Sequence, residues 1–118
     1  MVGRMTKNII EVRQGDSFTI TLHLYKNGAN IDLDGSVVRM QVRRNSGSLV
    51  WELCATSWQD NQGKMLLQIT PEYSNIAVGD YKCDIQLETP DGSINTIFPS
   101  NIHQIGIFRI TEQVTQGE

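Results

Sequence analysis

The sequence predicts an all-β protein, an antiparallel β-sandwich of seven to eight strands with one short helical turn near residues 71–78. The first indication is strict alternation in the segment 17–25. Its apolar residues occupy every second position: Phe18, Ile20, Leu22 and Leu24. Side chains alternate across a β-strand, so this segment buries one face and exposes the other. The second indication is that similar segments recur at roughly ten-residue spacing with turn residues between them, as in sandwiches.

The same alternation gives the strands in order. The predicted strands are residues 8–13, 17–25, 36–44, 49–54, 65–70, 81–88, 93–98 and 102–111. Asn27-Gly28 supplies the positive φ of a tight reversal, and Thr89-Pro90-Asp91-Gly92 closes a later hairpin. Gly106 lies inside the last strand and indicates a bulge or the close approach of another backbone. No segment predicts a helix long enough for a parallel crossover, so the sheets are expected to be antiparallel.

One short helical turn interrupts the strands. Thr70 is expected to cap it, Pro71 fits its first position, and Glu72 complements the positive end. The turn is predicted to carry residues 76–78 (Ile76, Ala77 and Val78) over one end of the core and to stop at Gly79.

Length and charge restrict the class of protein. A chain of 118 residues predicts one domain, residues 9–111, with polar segments 1–8 and 112–118 as flexible tails. The net charge of -3 lacks the basic excess expected for nucleic-acid or anionic-membrane binding, so neither partner is predicted. The chain also lacks an apolar membrane span and the apolar region of a secretory signal, which predicts an intracellular origin.

The two cysteines allow two interpretations. Free thiols are favoured for Cys54 and Cys83 in a reducing compartment, and an intersheet disulfide is the alternative. Cys83 is in phase with Ile85 and Leu87, which predicts that it behaves as a small buried hydrophobe.

The sequence does not predict an enzyme. The segment 30–35 has the alternating oxygens of half a calcium loop, but Gln41 stands where a bidentate Glu is needed. No histidine and cysteine pair has zinc-ligand spacing, and the nucleophile-elbow and phosphate-loop motifs are missing. No catalytic residue, cofactor or metal ligand is therefore predicted. A small hydrolase with a cleft at one end of the sandwich remains an alternative, since the fold could bring a histidine to a cysteine.

Binding is predicted at three residues. Trp58 lies among polar residues in the loop 55–63, a composition suited to stacking on sugar or anchoring a partner. The favoured interpretation is nevertheless that Trp58 is a lid over the open end of the sandwich, because large aromatic residues in long loops usually fold back onto apolar surface. Tyr25 and His23, on the outer face of the segment 17–25, form a weaker candidate surface.

The order of these signals resembles a known family. The segments that carry the resemblance are 13–22 (RQGDSFTITL), 27–43 (NGANIDLDGSVVRMQVR), 63–72 (GKMLLQITPE), 79–87 (GDYKCDIQL) and 90–92 (PDG). They are similar to the immunoglobulin-like domains of tailed-phage virion proteins, particularly the N-terminal domain of the baseplate upper protein family. The similarity extends over roughly residues 9–111 and, for the fold, implies an immunoglobulin-like sandwich.

For function, the resemblance implies a non-enzymatic structural or assembly protein of a tailed-phage virion. Its place would be the baseplate, tail or an adaptor, or the capsid surface as a decoration protein. Its partners would be other virion structural proteins and further copies of itself, in a virion assembled in the host cytoplasm. The alternative function is a carbohydrate-binding or host-attachment module that uses Trp58 and the loop 55–63.

Overall fold

The chain folds as the predicted immunoglobulin-like β-sandwich. A computed structural model describes residues 3–23, 25–26, 29–30, 35–55, 58–59, 64–99 and 103–112. Within these residues, a seven-stranded sheet packs against a three-stranded sheet, and two further short strands pair with each other. The predicted fold class is confirmed.

The strands follow the alternation read from the sequence. The elements are β1 (Gly3–Met5), β2 (Ile9–Arg13), β3 (Phe18–His23), β4 (Tyr25–Lys26), β5 (Ala29–Asn30), β6 (Val37–Arg43), β7 (Leu49–Ala55), β8 (Trp58–Gln59), β9 (Lys64–Ile69), α1 (Pro71–Ser74), β10 (Gly79–Glu88), β11 (Ile94–Phe98) and β12 (Gly106–Thr111). The strands of five residues or more correspond in order to the predicted ones. The last strand begins four residues later than predicted, at Gly106 instead of residue 102.

The larger sheet has the order β1-β2-β12-β10-β6-β7, and β11 pairs with the second half of β10. The smaller sheet has the order β3-β9-β8. One pair departs from the antiparallel expectation, because β2 and β12 run parallel, with Ile10 beside Phe108. Strands joined by a hairpin must be antiparallel, whereas β2 and β12 lie near opposite ends of the sequence and no turn fixes their direction.

The N-terminal segment contains a strand that was not predicted from the sequence. Residues 1–8 were expected to form a flexible tail, but Gly3–Met5 pairs antiparallel with β2, with Arg4 opposite Glu11. A short segment can join a sheet edge through its backbone alone, since ladder hydrogen bonds need no alternating apolar side chains. Residues 113–118 of the expected C-terminal tail lie outside the described residues.

The core lies between the two sheets and is built from alternate positions of the main strands. Its buried apolar residues are Ile10, Val12, Ile20, Leu22, Val38, Met40, Val42, Leu67, Ile69, Cys83, Ile85, Leu87, Phe98, Phe108 and Ile110. The opposite face of the larger sheet carries the intervening polar side chains, such as Arg39, Gln41 and Asp84. This outer face is where the candidate site lies.

The short helix differs in detail from its prediction. Pro71 and Glu72 occupy its first turn, but the Thr70 side chain makes no capping hydrogen bond. The Thr70 carbonyl accepts from the backbone N–H groups of Tyr73 and Ser74 instead. Of the three apolar residues expected to cover the core, only Ile76 packs against it; Ala77 and Val78 are exposed. Within the described ranges, no helix has the length and apolar character needed to cross a membrane.

Candidate ligand pocket

The residues predicted to bind a partner lie on the small sheets. Trp58 begins the short strand β8 within the segment expected to be a loop, and its backbone pairs with Met65. His23 ends β3 opposite Lys64, one register position away in the same sheet. Tyr25 is in the separate β4–β5 pair. The three side chains lie outside the described residues, so the predicted binding roles stay predictions.

The calcium, zinc and cysteine-nucleophile candidates are likewise not supported by the described residues. Residues 31–34 of the half calcium loop lie outside the described residues. In the part of the chain that is described, no group of three His, Cys, Asp or Glu residues could hold a metal ion. His103 is exposed in the turn before β12, whereas Cys83 is buried in the core.

Both cysteines are free thiols, as the favoured interpretation predicts. Cys83 points into the core, where desolvation by burial raises the pKa of its thiol to about 12 and the Asp84 charge adds to the rise. Cys54 is exposed on the outer face of β7, with its Sγ 3.8 Å from Glu52 Oε1. Since the two thiols lie on opposite faces of one sheet, an intersheet bridge between them is ruled out by geometry.

A pocket of about 430 Å³ opens on the outer face of the larger sheet, a volume within the usual range for ligand sites. It forms because two strands share one edge of β10. The register pairs Cys83 with Gly106 of β12, and Ile85 with Phe98 of β11. Asp84 lies between these pairs, at the junction of the two strands. The pocket is lined by Gln41, Arg43, Lys82, Cys83, Asp84, Thr96, Pro99, Gln104, Ile105 and Gly106.

A bulge in β11 places one polar side chain at this pocket. Ile85 pairs with Phe98, but the next residue, Gln86, pairs with Thr96, so Ile97 is the extra residue. A bulge adds one residue to a strand. The residues beyond it therefore point to the face of the sheet opposite to the one that strict alternation would give them. Phe98 therefore enters the core while Thr96 joins the outer face and lines the pocket.

Gly106 allows the wall of the pocket to close. A Cβ at this position would overlap the Cys83 carbonyl oxygen and would lie 3.1 Å from Pro99 Cδ. Only glycine permits this contact of β12 with β10, so the close backbone approach predicted at Gly106 is confirmed. A cis peptide bond joins Phe98 to Pro99, which also lines the pocket.

Hydrogen bonds hold the floor of the pocket in place. Arg43 donates through Nη1 to the Gly47 carbonyl at 2.9 Å and through Nη2 to Gln41 Oε1 at 3.1 Å. Gln41 Nε2 in turn donates to Glu52 Oε2 at 2.5 Å. Because both groups of the Gln41 amide are engaged, its orientation and that of the Arg43 guanidinium are fixed before any ligand arrives.

Two charged side chains of β10 line the pocket without a bonding partner among the described residues. Asp84 is half-buried, and Lys82 is exposed on the same face of β10. Neither forms a hydrogen bond or an ion pair with any residue in the described ranges. Burial raises the pKa of the Asp84 carboxyl, and the positive charge of Arg43 opposes that rise. An ionised carboxylate that is partly desolvated and unbonded is favourable only when a ligand or water donates to it.

This pocket was not predicted from the sequence. In the sequence, Asp84 is indistinguishable from a solvated strand acid, and Arg43 from part of a solvated strand end. The signals that could have indicated the site are Gly106 and the register break at Ile97, but β11 and β12 converge on Asp84 only in the folded sheet.

Comparison with solved structures finds several chains that match this fold, CopC among them. The crystal structure of CopC from Methylosinus trichosporium OB3b matches with a TM-score of 0.50 and 19% sequence identity, over 90% of this chain and 86% of that one. No family model and no curated protein matches the chain. At this identity the likeness concerns the fold, and it agrees with the β-sandwich described above.

The same comparison corrects the predicted function. The matching structure of CopC is not that of a phage structural protein, and on this finding the prediction of a virion structural role is wrong. That prediction rested on turn and strand motifs that any sandwich can use, because each motif reports local backbone geometry and not a partner. Neither the virion role nor its carbohydrate-binding alternative is carried forward.

Proposed function

We propose that this chain is a non-enzymatic ligand-binding domain whose site is the pocket at the junction of β10, β11 and β12. The observation that carries the proposal is Asp84, a half-buried carboxylate that faces the pocket without a hydrogen bond from the described residues. Most native carboxylates that lose water gain a donor in exchange. A ligand that donates to Asp84 would take the place of solvent at this carboxylate.

The lining of the pocket favours binding over catalysis. Its described residues include no histidine, and their only thiol belongs to Cys83, which points into the core. Nucleophilic catalysis needs an accessible nucleophile within hydrogen-bond reach of a base. The fixed Gln41 and Arg43 side chains suit recognition, because little conformational entropy is lost when a ligand binds them.

Copper binding is the activity that the likeness to CopC would suggest, since CopC is a copper-binding protein. The described residues do not fit a copper ion, because no three potential ligand side chains converge among them. Cys54 and Glu52 are neighbours, but the Arg39 guanidinium lies 3.6 Å from Glu52 Oε2 and would repel a cation there.

Nuclear magnetic resonance tests the proposed site. A library of small polar compounds is titrated into ¹⁵N-labelled protein, and binders are expected to shift the amide signals of Thr96, Gln104 and Ile105. In Asp84→Ala the same compounds should bind at least tenfold more weakly, while Thr19→Ala, on the exposed face of β3, should bind as the wild type does. Binders whose shifts all map to the smaller sheet, or equal binding by Asp84→Ala, would contradict the proposal.

We also propose that copies of the chain associate through β7. Among the described residues, β6 is the only strand that pairs with β7, which leaves its other edge open. This seven-residue edge contains one charged residue and neither proline nor lysine. Monomeric proteins usually protect long edge strands with such residues or with bulges, so the regular part of this edge beyond the bulge at Val50, residues 51–55, favours pairing with another strand.

Sedimentation equilibrium tests this association. The wild type is expected to show a monomer–dimer equilibrium at micromolar to millimolar concentration. Cys54→Lys places a charge on the exposed face of the edge and should shift the protein to monomer, whereas Thr19→Lys, on β3, should not. A wild type that is monomeric throughout this range would contradict the association and leave the pocket proposal unaffected.

A further inference from the structure

We infer that the ligand of the junction pocket is zwitterionic, a short peptide or amino-acid derivative whose ammonium group meets Asp84 and whose carboxylate meets Lys82 and Arg43. This inference rests on the proposed function, because it assigns a chemical class to the ligand of that same site. Its basis is the arrangement of charges in two neighbouring rows of the sheet.

The first row is positive. Lys82 of β10 stands directly opposite Arg43 of β6, and both line the pocket. Arg43 uses Nη1 and Nη2 for internal hydrogen bonds, yet a guanidinium has five N–H donors, so some remain for a ligand. Two adjacent cations with free donors form a natural carboxylate site.

The second row is negative. Two residues away from the Lys82–Arg43 pair along each strand, Asp84 stands opposite Gln41. The Gln41 amide is already hydrogen-bonded to Arg43 and Glu52. Asp84 is thus the group in this row that is left to accept a hydrogen bond from a ligand. The strand rise puts the two rows about 7 Å apart at the Cα atoms.

The two rows are not joined by an ion pair. Among the described residues, no salt bridge connects Asp84 to Lys82 or Arg43, although the Arg43 charge opposes the rise in the pKa of Asp84, and all three side chains line the pocket. A ligand with only negative groups would be repelled by Asp84, and one with only positive groups by Lys82 and Arg43. A ligand that carries both charges at a matching separation satisfies both rows.

The remaining wall of the pocket favours an organic ligand. Ile105 is 62% exposed beside the pocket, and Pro99 lines the same side. Together they offer an apolar surface to the small side chains or the backbone of a peptide. An inorganic ion would leave this surface unused.

Titration with dipeptides tests the inference. The probes are alanyl-alanine, its N-acetyl derivative, which lacks the ammonium group, and its C-terminal amide, which lacks the carboxylate. Alanyl-alanine is expected to shift the amide signals of Thr96 and Ile105, and each derivative should bind at least tenfold more weakly.

Two variants test which group of the ligand binds to each row of the pocket. In Asp84→Asn the preference for alanyl-alanine over its N-acetyl derivative should disappear, while the preference over the amide remains. In Lys82→Met the preference for alanyl-alanine over its C-terminal amide should disappear, while the preference over the N-acetyl derivative remains. Thr19→Ala is the control that should keep both preferences, and circular dichroism confirms that each variant is folded.

The outcomes separate this inference from the function on which it rests. Equal binding of all three probes at the pocket, or binding by none of them while other polar compounds still bind there, would overturn the zwitterionic class alone. Failure of every compound to shift the pocket amides would overturn the proposed function as well. Preferences that survive both substitutions would contradict the assignment of the two rows.

Discussion

Asp91 organises the hairpin between β10 and β11 through its side chain. Its Oδ1 accepts hydrogen bonds from Thr89 Oγ1 at 2.5 Å and from the Ser93 backbone N–H at 2.9 Å. These bonds favour the charged carboxylate, and the Thr89 bond is the largest cause that lowers the pKa of Asp91 to about 2. Gly92, with φ +88°, completes the turn.

This turn gives a prediction for acid stability. Because the folded-state pKa of Asp91 lies below its ordinary value of 3.8, its contribution to stability is full above that value and is lost as the pH falls towards 2. Asp91→Ala should be less stable than the wild type at pH 5 and should lose less stability between pH 4 and pH 2. Urea unfolding at a series of pH values measures both effects.

A control shows whether the effect belongs to this turn. Asn95 is an exposed, non-titrating residue of β11 beside the same hairpin, and Asn95→Ala should retain the wild-type loss of stability in the acid range. Equal pH dependence for the wild type and Asp91→Ala would show that the hairpin bonds contribute nothing in solution.

At the scale of single elements, β10 is the strand on which the pocket depends. It is ten residues long and pairs with β6 on one edge, while β12 and β11 share the other. At Gly106, β12 lies too close to the Cys83 carbonyl of β10 to leave room for a Cβ.

Substitution of Gly106 tests this close approach. In Gly106→Ala the added methyl group would overlap the Cys83 carbonyl oxygen, so β12 must move away from β10. The expected loss is about 2 kcal/mol of unfolding free energy, as for overpacking of a tight site. Asn95→Ala, at an exposed position of β11, should change stability by less than about 0.5 kcal/mol. Urea denaturation curves for both variants provide the measurement, and a fully stable Gly106→Ala would refute the contact.

At the scale of the whole molecule, the Trp51 side chain links the larger sheet to helix α1. Trp51 belongs to β7 of the larger sheet, and its Nε1 donates to the Tyr73 carbonyl of α1 at 2.9 Å. Helix α1 directly follows β9 of the smaller sheet. The Trp51 ring also packs edge-on against Phe108 with centroids 5.5 Å apart and tilts against the Tyr73 ring at 4.9 Å.

Removal of this connection should weaken the whole fold. Trp51→Phe keeps an aromatic ring but leaves the Tyr73 carbonyl without its donor, which should cost about 1 to 2 kcal/mol. Tyr73→Phe is a matched control, because the acceptor is a backbone carbonyl and the ring contact is preserved. Thermal unfolding followed by circular dichroism should show a lower midpoint for Trp51→Phe alone. Equal midpoints for the two variants would mean that the hydrogen bond is not a stabilising link.

The sequence by itself determined the fold class and the position of the main strands. Alternation over residues such as Phe18, Ile20 and Leu22 reports a half-buried strand because the pleat has a period of two, a property of the local backbone. The role of Gly106 was also predicted correctly, since a glycine inside a strand often marks a bulge or a close backbone approach. The strand β1 was missed because its three residues, Gly3–Met5, are too few for a period of two to be recognised.

Only the tertiary structure decided where a ligand could bind. Asp84 and Asp91 are the same residue type in neighbouring segments, yet burial raises the pKa of one and hydrogen bonds lower the pKa of the other. The pocket requires that β11 and β12 meet beside Asp84, and that Arg43 arrive from β6. Pairing between segments far apart in sequence creates these neighbours, and no local pattern of residues encodes it.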